Sequence, residues 1–219
     1  MTQNDNYLKD ISEIRSMMER SSRFISLSGI SGIFAGVFAL GGAAVAYFFL
    51  GMNYYRSYDE GVLSSSENYN SIINFLILDA LFVLVASLAA GIFFTTRKAR
   101  KQGHKIWDKT VKQLLVSTFI PLAAGGIFCL SLLYHGVIGL VAPATLVFYG
   151  LALLNGSKYT LDDIRYLGIC QIILGVISSF FIGYGLFFWA IGFGVLHIIY
   201  GAAMYFKYDV KRVVADSRV

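Results

Sequence analysis

Two ionisable side chains, Asp79 and His197, lie within long apolar runs of this sequence, where charged groups are rare. Asp79 is the only acidic residue inside such a run, and a carboxylate in hydrocarbon is costly unless it is paired, hydrated or protonated. Because an imidazole changes protonation near neutral pH, an Asp–His pair could relay protons or bind a polar or cationic ligand. A structural hydrogen bond to Ser, Tyr or the backbone explains both residues equally well, so the sequence leaves both explanations open.

Three other polar residues, Tyr149, Asn155 and Gln171, could extend a polar interior around this pair. Polar side chains at membrane depth usually face protein or a cavity because hydrocarbon cannot satisfy their hydrogen bonds. Together with Asp79 and His197, these three residues form the candidate ligand or ion path.

Motifs of known enzyme chemistry are absent from the sequence. It has no G-x-S-x-G, no H-E-x-x-H and no P-loop. The three histidines fall in three different regions of the chain, and Cys129 and Cys170 share no metal-ligand spacing. We therefore predict no catalytic residue, no metal site, no cofactor and no enzymatic activity.

The elements that must position these residues are six apolar runs of membrane-spanning length, which cover residues 25–50, 72–94, 114–134, 137–154, 166–182 and 186–206. Crossing a hydrocarbon layer of ~30 Å takes about 20 mostly apolar residues in a helix, and no water-soluble fold needs six such runs. The sequence predicts an all-α fold, a polytopic membrane bundle of six transmembrane helices.

Positive charge is distributed unevenly around these runs. If the N-terminus lies in the cytoplasm, every Lys and Arg of the eighteen except Arg56 falls on the cytoplasmic side. The reverse orientation would put the basic segment 97–112 outside, against the positive-inside rule. We therefore expect both termini to be cytoplasmic, with the basic residues facing anionic headgroups and not nucleic acid.

The N-terminal segment has helical amphipathic periodicity. Its apolar residues Leu8, Ile11, Ile14, Met17 and Met18 recur every three or four positions among charged residues. We predict a cytoplasmic amphipathic helix over 1–24, a six-span membrane domain over 25–206 and a cytoplasmic tail over 207–219. An anchoring helix on the membrane surface is favoured over a helix that binds a cytosolic partner protein.

Glycines recur with one spacing in three of the runs. Each run contains the pattern G-x-x-z-x-x-x-G, which places both glycines and the middle residue on one helix face. The residues are Gly29, Gly32 and Gly36, then Gly168, Gln171 and Gly175, then Gly194, His197 and Gly201. Such faces favour close helix packing, within the chain or in a homo-oligomer. They could also open space where Gln171 and His197 meet.

Several segments together resemble a bacterial family of uncharacterised six-span membrane proteins. They are APATLVFYGLALLN at 142–155, KYTLDDIRYLG at 158–168, SMMERS at 16–21 and GFGVLHIIYG at 192–201. The resemblance covers nearly the whole chain. It implies a location in the bacterial inner membrane but no established activity, so it transfers no functional residue.

The leading functional prediction is a non-enzymatic membrane protein that binds a lipid-like or small ligand, or a partner protein, in a regulatory role. The alternative is a small transporter or channel whose path is lined by Asp79 and His197. An enzyme acting on a lipid substrate ranks third.

Overall fold

The computed structural model describes residues 27–59, 66–101 and 107–210. These residues are helical almost throughout and contain no strand. The amphipathic helix predicted over residues 1–24 and most of the predicted tail lie outside the described residues.

Six long helical elements make up this part of the chain. They are α1 (Gly29–Asp59), α2 (Ser66–Lys101), α3 (Lys109–Tyr134), α4 (Val141–Gly156), α5 (Asp163–Phe180) and α6, which begins at Gly185 and ends at Val210. Short 3₁₀ turns, Ile138–Leu140 and Ser157–Tyr159, flank α4. Each long element, with α4 extended by its two flanking turns to Ile138–Tyr159, is long and apolar enough to cross a membrane, which confirms the predicted all-α architecture with six potential spans.

Unlike the other five elements, α6 is not a uniform α-helix. It is α-helical over Gly185–Trp189, π-helical over Ala190–Leu196, α-helical over His197–Met204 and π-helical again over Tyr205–Val210. A π-helical turn contains an extra residue, so the side chains that follow it are rotated relative to an α-helical register. Helical structure also continues into the segment predicted as tail.

Local sequence explains where α3 begins and ends. Asp108 has an extended backbone, and its side chain accepts a hydrogen bond of 2.8 Å from the Val111 amide, as expected of an N-cap. At the other end the chain reverses over His135 and Gly136, where Gly136 has φ 73°, a conformation that glycine adopts without steric cost. The hairpin between α3 and α4 is therefore very short.

Basic residues gather at one end of the bundle, which we call the basic end. Lys98, Arg100 and Lys101 lie in the last turn of α2, where the helix dipole favours positive charge. Lys109 and Lys112 lie at the start of α3, where the dipole opposes it. Because both groups are positive, the helix dipole does not account for the pattern.

The bundle is organised around two close helix pairs. In the first pair, α1 crosses α6 with the glycines of the two repeated motifs facing each other. A Cβ atom on Gly201 would lie 2.6 Å from the Ile33 nitrogen and 2.8 Å from the Gly29 oxygen. A Cβ atom on Gly36 would lie 2.6 Å from the Gly194 oxygen. The backbones therefore touch, which only glycine permits.

The second pair, α4 and α5, is equally close. A Cβ atom on Gly168 would lie 2.8 Å from the Gly150 oxygen, and one on Gly150 would lie 2.7 Å from the Gly168 oxygen. The glycine motif of α5, which contains Gly168, thus packs on Gly150 of α4. Gly150 itself belongs to none of the three motifs. Outside these pairs, α2 packs mainly on α1 and α3 packs mainly on α4.

A polar cluster ties three helix ends together at the basic end. Asp209 of α6 forms an ion pair with Lys98 of α2 and accepts a hydrogen bond of 3.3 Å from the Gly29 amide at the start of α1. Lys98 also donates to the Leu27 carbonyl at 2.7 Å. The Lys98 and Asp209 side chains are only 13% and 14% exposed, so water screens this pair weakly.

We predict that Lys98→Met lowers the free energy of unfolding by ~2 kcal/mol, because it leaves the Asp209 carboxylate mostly buried without its cation. Lys207→Met is the matched control. Lys207 binds Asp163 at 2.9 Å, but its side chain is 54% exposed, so this change should cost less than ~1 kcal/mol. Reversible unfolding by SDS in mixed micelles measures both variants, and equal losses would contradict the difference in burial.

Candidate functional site

A cleft opens at the end of the bundle opposite the basic end, and we call it the Asp79 cleft. It lies between the α1–α2 pair and the α3–α4 hairpin, with the start of α6 beside it, and has a volume of about 350 Å³. Its wall is almost wholly apolar and includes Ala46, Ile77 and Leu133. Among its lining residues, Asp79 is the only one with a charged side chain.

The Asp79 carboxylate has room because α1 presents no side chain opposite it. A Cβ atom on Gly42 would lie 3.2 Å from Asp79 Oδ2, so the carboxylate lies directly beside the α1 backbone. No residue of the described part of the chain forms a hydrogen bond or ion pair with this carboxylate. A carboxylate in an apolar cleft without such a partner is one that a ligand could stabilise.

Two other lining residues carry polar side-chain atoms, Thr145 and Trp189. The Thr145 hydroxyl donates its only proton to the Ala142 carbonyl at 2.7 Å. Toward a ligand it can therefore act only as a hydrogen-bond acceptor. Apart from the indole N–H of Trp189, the polar side-chain atoms of the cleft are therefore hydrogen-bond acceptors.

A separate polar core joins α4, α5 and α6 in the middle of the bundle. Tyr149 Oη lies 2.7 Å from His197 Nε2, and His197 Nδ1 lies 3.0 Å from the Gly192 carbonyl oxygen. The side-chain amide of Gln171 donates to the same carbonyl at 2.8 Å. Because a carbonyl only accepts, Nδ1 carries a proton, and in the neutral ring the Tyr149 hydroxyl donates to Nε2.

This polar core is closely packed. His197 is 7% exposed and Gln171 is fully buried. The shared acceptor, Gly192, lies within the first π-helical segment of α6, and a Cβ atom there would lie 2.6 Å from Gln171 Oε1. Hydrogen bonds and close contacts thus hold His197, Tyr149 and the Gln171 amide nitrogen in place, as in a structural core, whereas Gln171 Oε1 is buried without a hydrogen-bond partner among the described residues.

Aromatic rings separate the polar core from the cleft. Trp189, which lines the cleft, lies 5.0 Å from Phe193 between ring centroids, and Phe193 lies 4.9 Å from Tyr149 and 5.9 Å from His197. The structure therefore does not bring Asp79 and His197 together. Both ring nitrogens of His197 have other partners.

Asn155 lies apart from both sites. Its side-chain amide donates to the Ser117 carbonyl of α3 at 3.3 Å, and its oxygen lies 3.4 Å from Lys158 Nζ. Of the five residues of the predicted path, the structure brings together Tyr149, Gln171 and His197, leaves Asp79 in the cleft and places Asn155 at the α3–α4 contact.

Trp189, Thr145 and Gly150 are not among the candidate residues predicted from the sequence. A signal for Trp189 exists, because Trp189, Phe193 and His197 recur every fourth residue and so mark one side of α6. Thr145 has no comparable signal. Within the described ranges, no three His, Cys, Asp or Glu side chains lie close enough to hold a metal ion.

Comparison of the chain with protein-family models, with curated proteins and with solved structures finds no match. The resemblance to a bacterial six-span family therefore stays a prediction.

Proposed function

We propose that this chain is a non-enzymatic multi-pass membrane protein that binds a small or lipid-like apolar ligand in the Asp79 cleft, in a regulatory role. The observation that carries the proposal is the Asp79 carboxylate, which lies without a described partner in an otherwise apolar cleft of about 350 Å³. That volume lies at the lower end of the ~300–1,000 Å³ typical of small-molecule pockets. A single-chain amphiphile fits it better than a two-chain phospholipid.

Exposed apolar surface supports the membrane location. The outward faces of α2 and α3 carry large apolar side chains such as Phe82, Ile92, Phe119 and Ile127, each more than half exposed. Water-soluble proteins rarely expose apolar patches of this extent. In the proposed orientation both termini and the basic end face the bacterial cytoplasm, and the Asp79 cleft lies toward the outer half of the inner membrane.

Other partners fit the same proposal. The basic end would contact anionic headgroups, and residues 1–24 would lie on the membrane surface or hold a cytosolic protein. Pull-down of a cytosolic partner that is lost when residues 1–20 are removed would identify the regulatory route. A homo-oligomer would have to use faces other than the motif glycines, since those of α1, α5 and α6 already pack within the chain.

The transport alternative requires a polar route from the Asp79 cleft through the bundle. Trp189 and Phe193 lie between the cleft and the polar core, and this favours binding over transport. Ligand-dependent flux in proteoliposomes would overturn that preference. The same assay with His197 replaced would then show whether the polar core lies on the route.

Binding in the cleft can be measured through Trp189. The chain has two tryptophans, and Trp107 is 65% exposed near the basic end, so Trp107→Phe leaves Trp189 as the only one. A brominated medium-chain alcohol that enters the cleft should quench Trp189 saturably in nanodiscs. Quenching that rises only in proportion to the amount of probe in the bilayer would contradict a binding site.

Filling the cleft should weaken this binding. Ala80 lines the cleft and is exposed, so we predict that Ala80→Phe in the Trp107→Phe background reduces the affinity by about tenfold through steric overlap with the ligand. Ala89→Phe adds the same ring to an exposed position of α2 outside the cleft lining. It should change the affinity by less than about twofold, and equal losses in both variants would contradict the cleft as the site.

A further inference from the structure

We propose that the Asp79 cleft selects a cationic amphiphile, a molecule with one protonated amine and a single apolar chain. This inference rests on the proposed function and adds the chemical class of the ligand. It is carried by the hydrogen-bonding character of the cleft, by its charge and by its size.

The hydrogen-bonding character favours a donor. The Asp79 carboxylate is acceptor-only when ionised, and the Thr145 hydroxyl has already given its proton to the Ala142 carbonyl. A protonated primary amine brings three N–H donors to this lining of acceptors. An alcohol brings only one donor, and a carboxylate brings none.

The charge favours a cation over an anion. Asp79 is the only charged residue of the lining, and no described Lys, Arg or His pairs with it. Asp79 is partly buried beside apolar side chains, so its uncompensated charge acts on a ligand in the cleft with less screening than a charge at a fully exposed position. An ammonium group restores neutrality, whereas a carboxylate or phosphate would place two negative charges together.

The size and lining favour one apolar chain. The wall beyond Asp79 is formed by aliphatic side chains of α1, α2 and α3, such as Leu50, Leu76 and Leu133. These side chains can bury an alkyl chain, and each CH₂ group buried contributes ~0.8 kcal/mol in transfer from water. The ammonium group provides selectivity, and the chain provides affinity.

The test uses three amphiphiles of equal chain length, decylamine, decanol and decanoate, as competitors of the brominated alcohol in the Trp107→Phe protein. Each affinity is compared between that protein and its Asp79→Asn variant, so that differences in membrane partitioning cancel. We expect Asp79→Asn to weaken decylamine by about tenfold or more, to change decanol by less than about threefold and to strengthen decanoate.

Two further variants separate charge from fold. Asp79→Glu keeps the charge and should retain the preference for decylamine over decanol. Asp108→Asn removes a carboxylate outside the cleft while keeping an equally good N-cap, so it should leave all three affinities unchanged. If the brominated alcohol no longer quenches Trp189 in Asp79→Asn, the cleft of that variant is damaged. The preference for decylamine over decanol in Asp79→Glu then tests the role of the charge.

The inference is overturned if decanol and decylamine lose affinity equally in Asp79→Asn, or if decanoate binds the unchanged cleft as tightly as decylamine. In either case the cleft would still bind apolar ligands, and the proposed function would stand. If none of the probes quenches or competes saturably, both the proposed function and the ligand class are wrong.

Discussion

Gly201→Ala should lower the free energy of unfolding by about 3 kcal/mol, an unusually large loss for the addition of one methyl group. The new Cβ atom would lie 2.6 Å from the Ile33 nitrogen and 2.8 Å from the Gly29 oxygen, both of which are backbone atoms of α1. Because the backbone of a packed helix cannot rotate away as a side chain can, α1 and α6 would have to separate. Separation weakens the other close contacts of the pair as well.

The control for this prediction is Gly126→Ala. A Cβ atom on Gly126 would have no neighbour within 4 Å, although Gly126 also lies inside a long apolar helix. Alanine is the better helix former by about 1 kcal/mol in water, so this change should be neutral or slightly stabilising. SDS unfolding of both variants checks the pair, and a small loss for Gly201→Ala would mean that the α1–α6 contact is looser than described.

His197→Ala should lower the free energy of unfolding by about 3 kcal/mol. The change removes the partner of the Tyr149 hydroxyl and one of two side-chain donors to the Gly192 carbonyl, and it opens a cavity beside Phe193. A buried hydroxyl without a partner costs ~1–3 kcal/mol, and the cavity adds to that loss. His135→Ala, in the exposed turn between α3 and α4, should cost less than about 0.5 kcal/mol.

A double-mutant cycle tests whether Tyr149 and His197 act as a pair. Tyr149→Phe alone should be destabilising, but in the His197→Ala background it should cost less, because the hydroxyl already lacks its partner. The affinity for the brominated alcohol should stay within about twofold in the single variants. If His197→Ala kept its stability but abolished ligand binding or flux, the polar core would belong to a ligand path, and the transport alternative would be favoured.

These predictions assign different roles to residues of similar chemical type. Asp79 and His197 are both ionisable residues within apolar helices, and no feature of the sequence distinguishes their roles. In the structure Asp79 lies without a described partner in a cleft, whereas His197 is enclosed by Tyr149 and the Gly192 carbonyl. We therefore expect substitutions of Asp79 to change ligand selectivity and substitutions of His197 to change stability.

The α6 helix shows why the glycine pattern was only partly informative. The spacing of Gly194, His197 and Gly201 correctly indicated a face for close packing, but a period of 3.6 residues assumes an α-helix. Gly194 and Gly201 both pack on α1, but the side chain of His197 contacts Tyr149 of α4, although His197 and Gly201 lie in the same α-helical stretch His197–Met204. Gly194 lies in the π-helical segment Ala190–Leu196, so the rotation from Gly194 to His197 is not the one that an α-helical period assumes.

The sequence by itself determined the six apolar helices and their approximate positions. A backbone in hydrocarbon has to satisfy its own hydrogen bonds, and for a single long apolar run the helix is the structure that does so. The uneven distribution of Lys and Arg also predicts an orientation before any fold is known. Both features depend on local composition, which is why they could be predicted without knowledge of contacts.

Only the tertiary structure decided which polar residues meet. Tyr149, Gln171 and the Gly192 carbonyl come from three helices, and whether they converge depends on helix order, crossing and rotation. Packing in the bundle is set by backbone contacts such as Gly150 with Gly168, which no periodicity of a single helix specifies. The Asp79 cleft is the space left between helix pairs, so its existence is a property of their arrangement and not of any one segment.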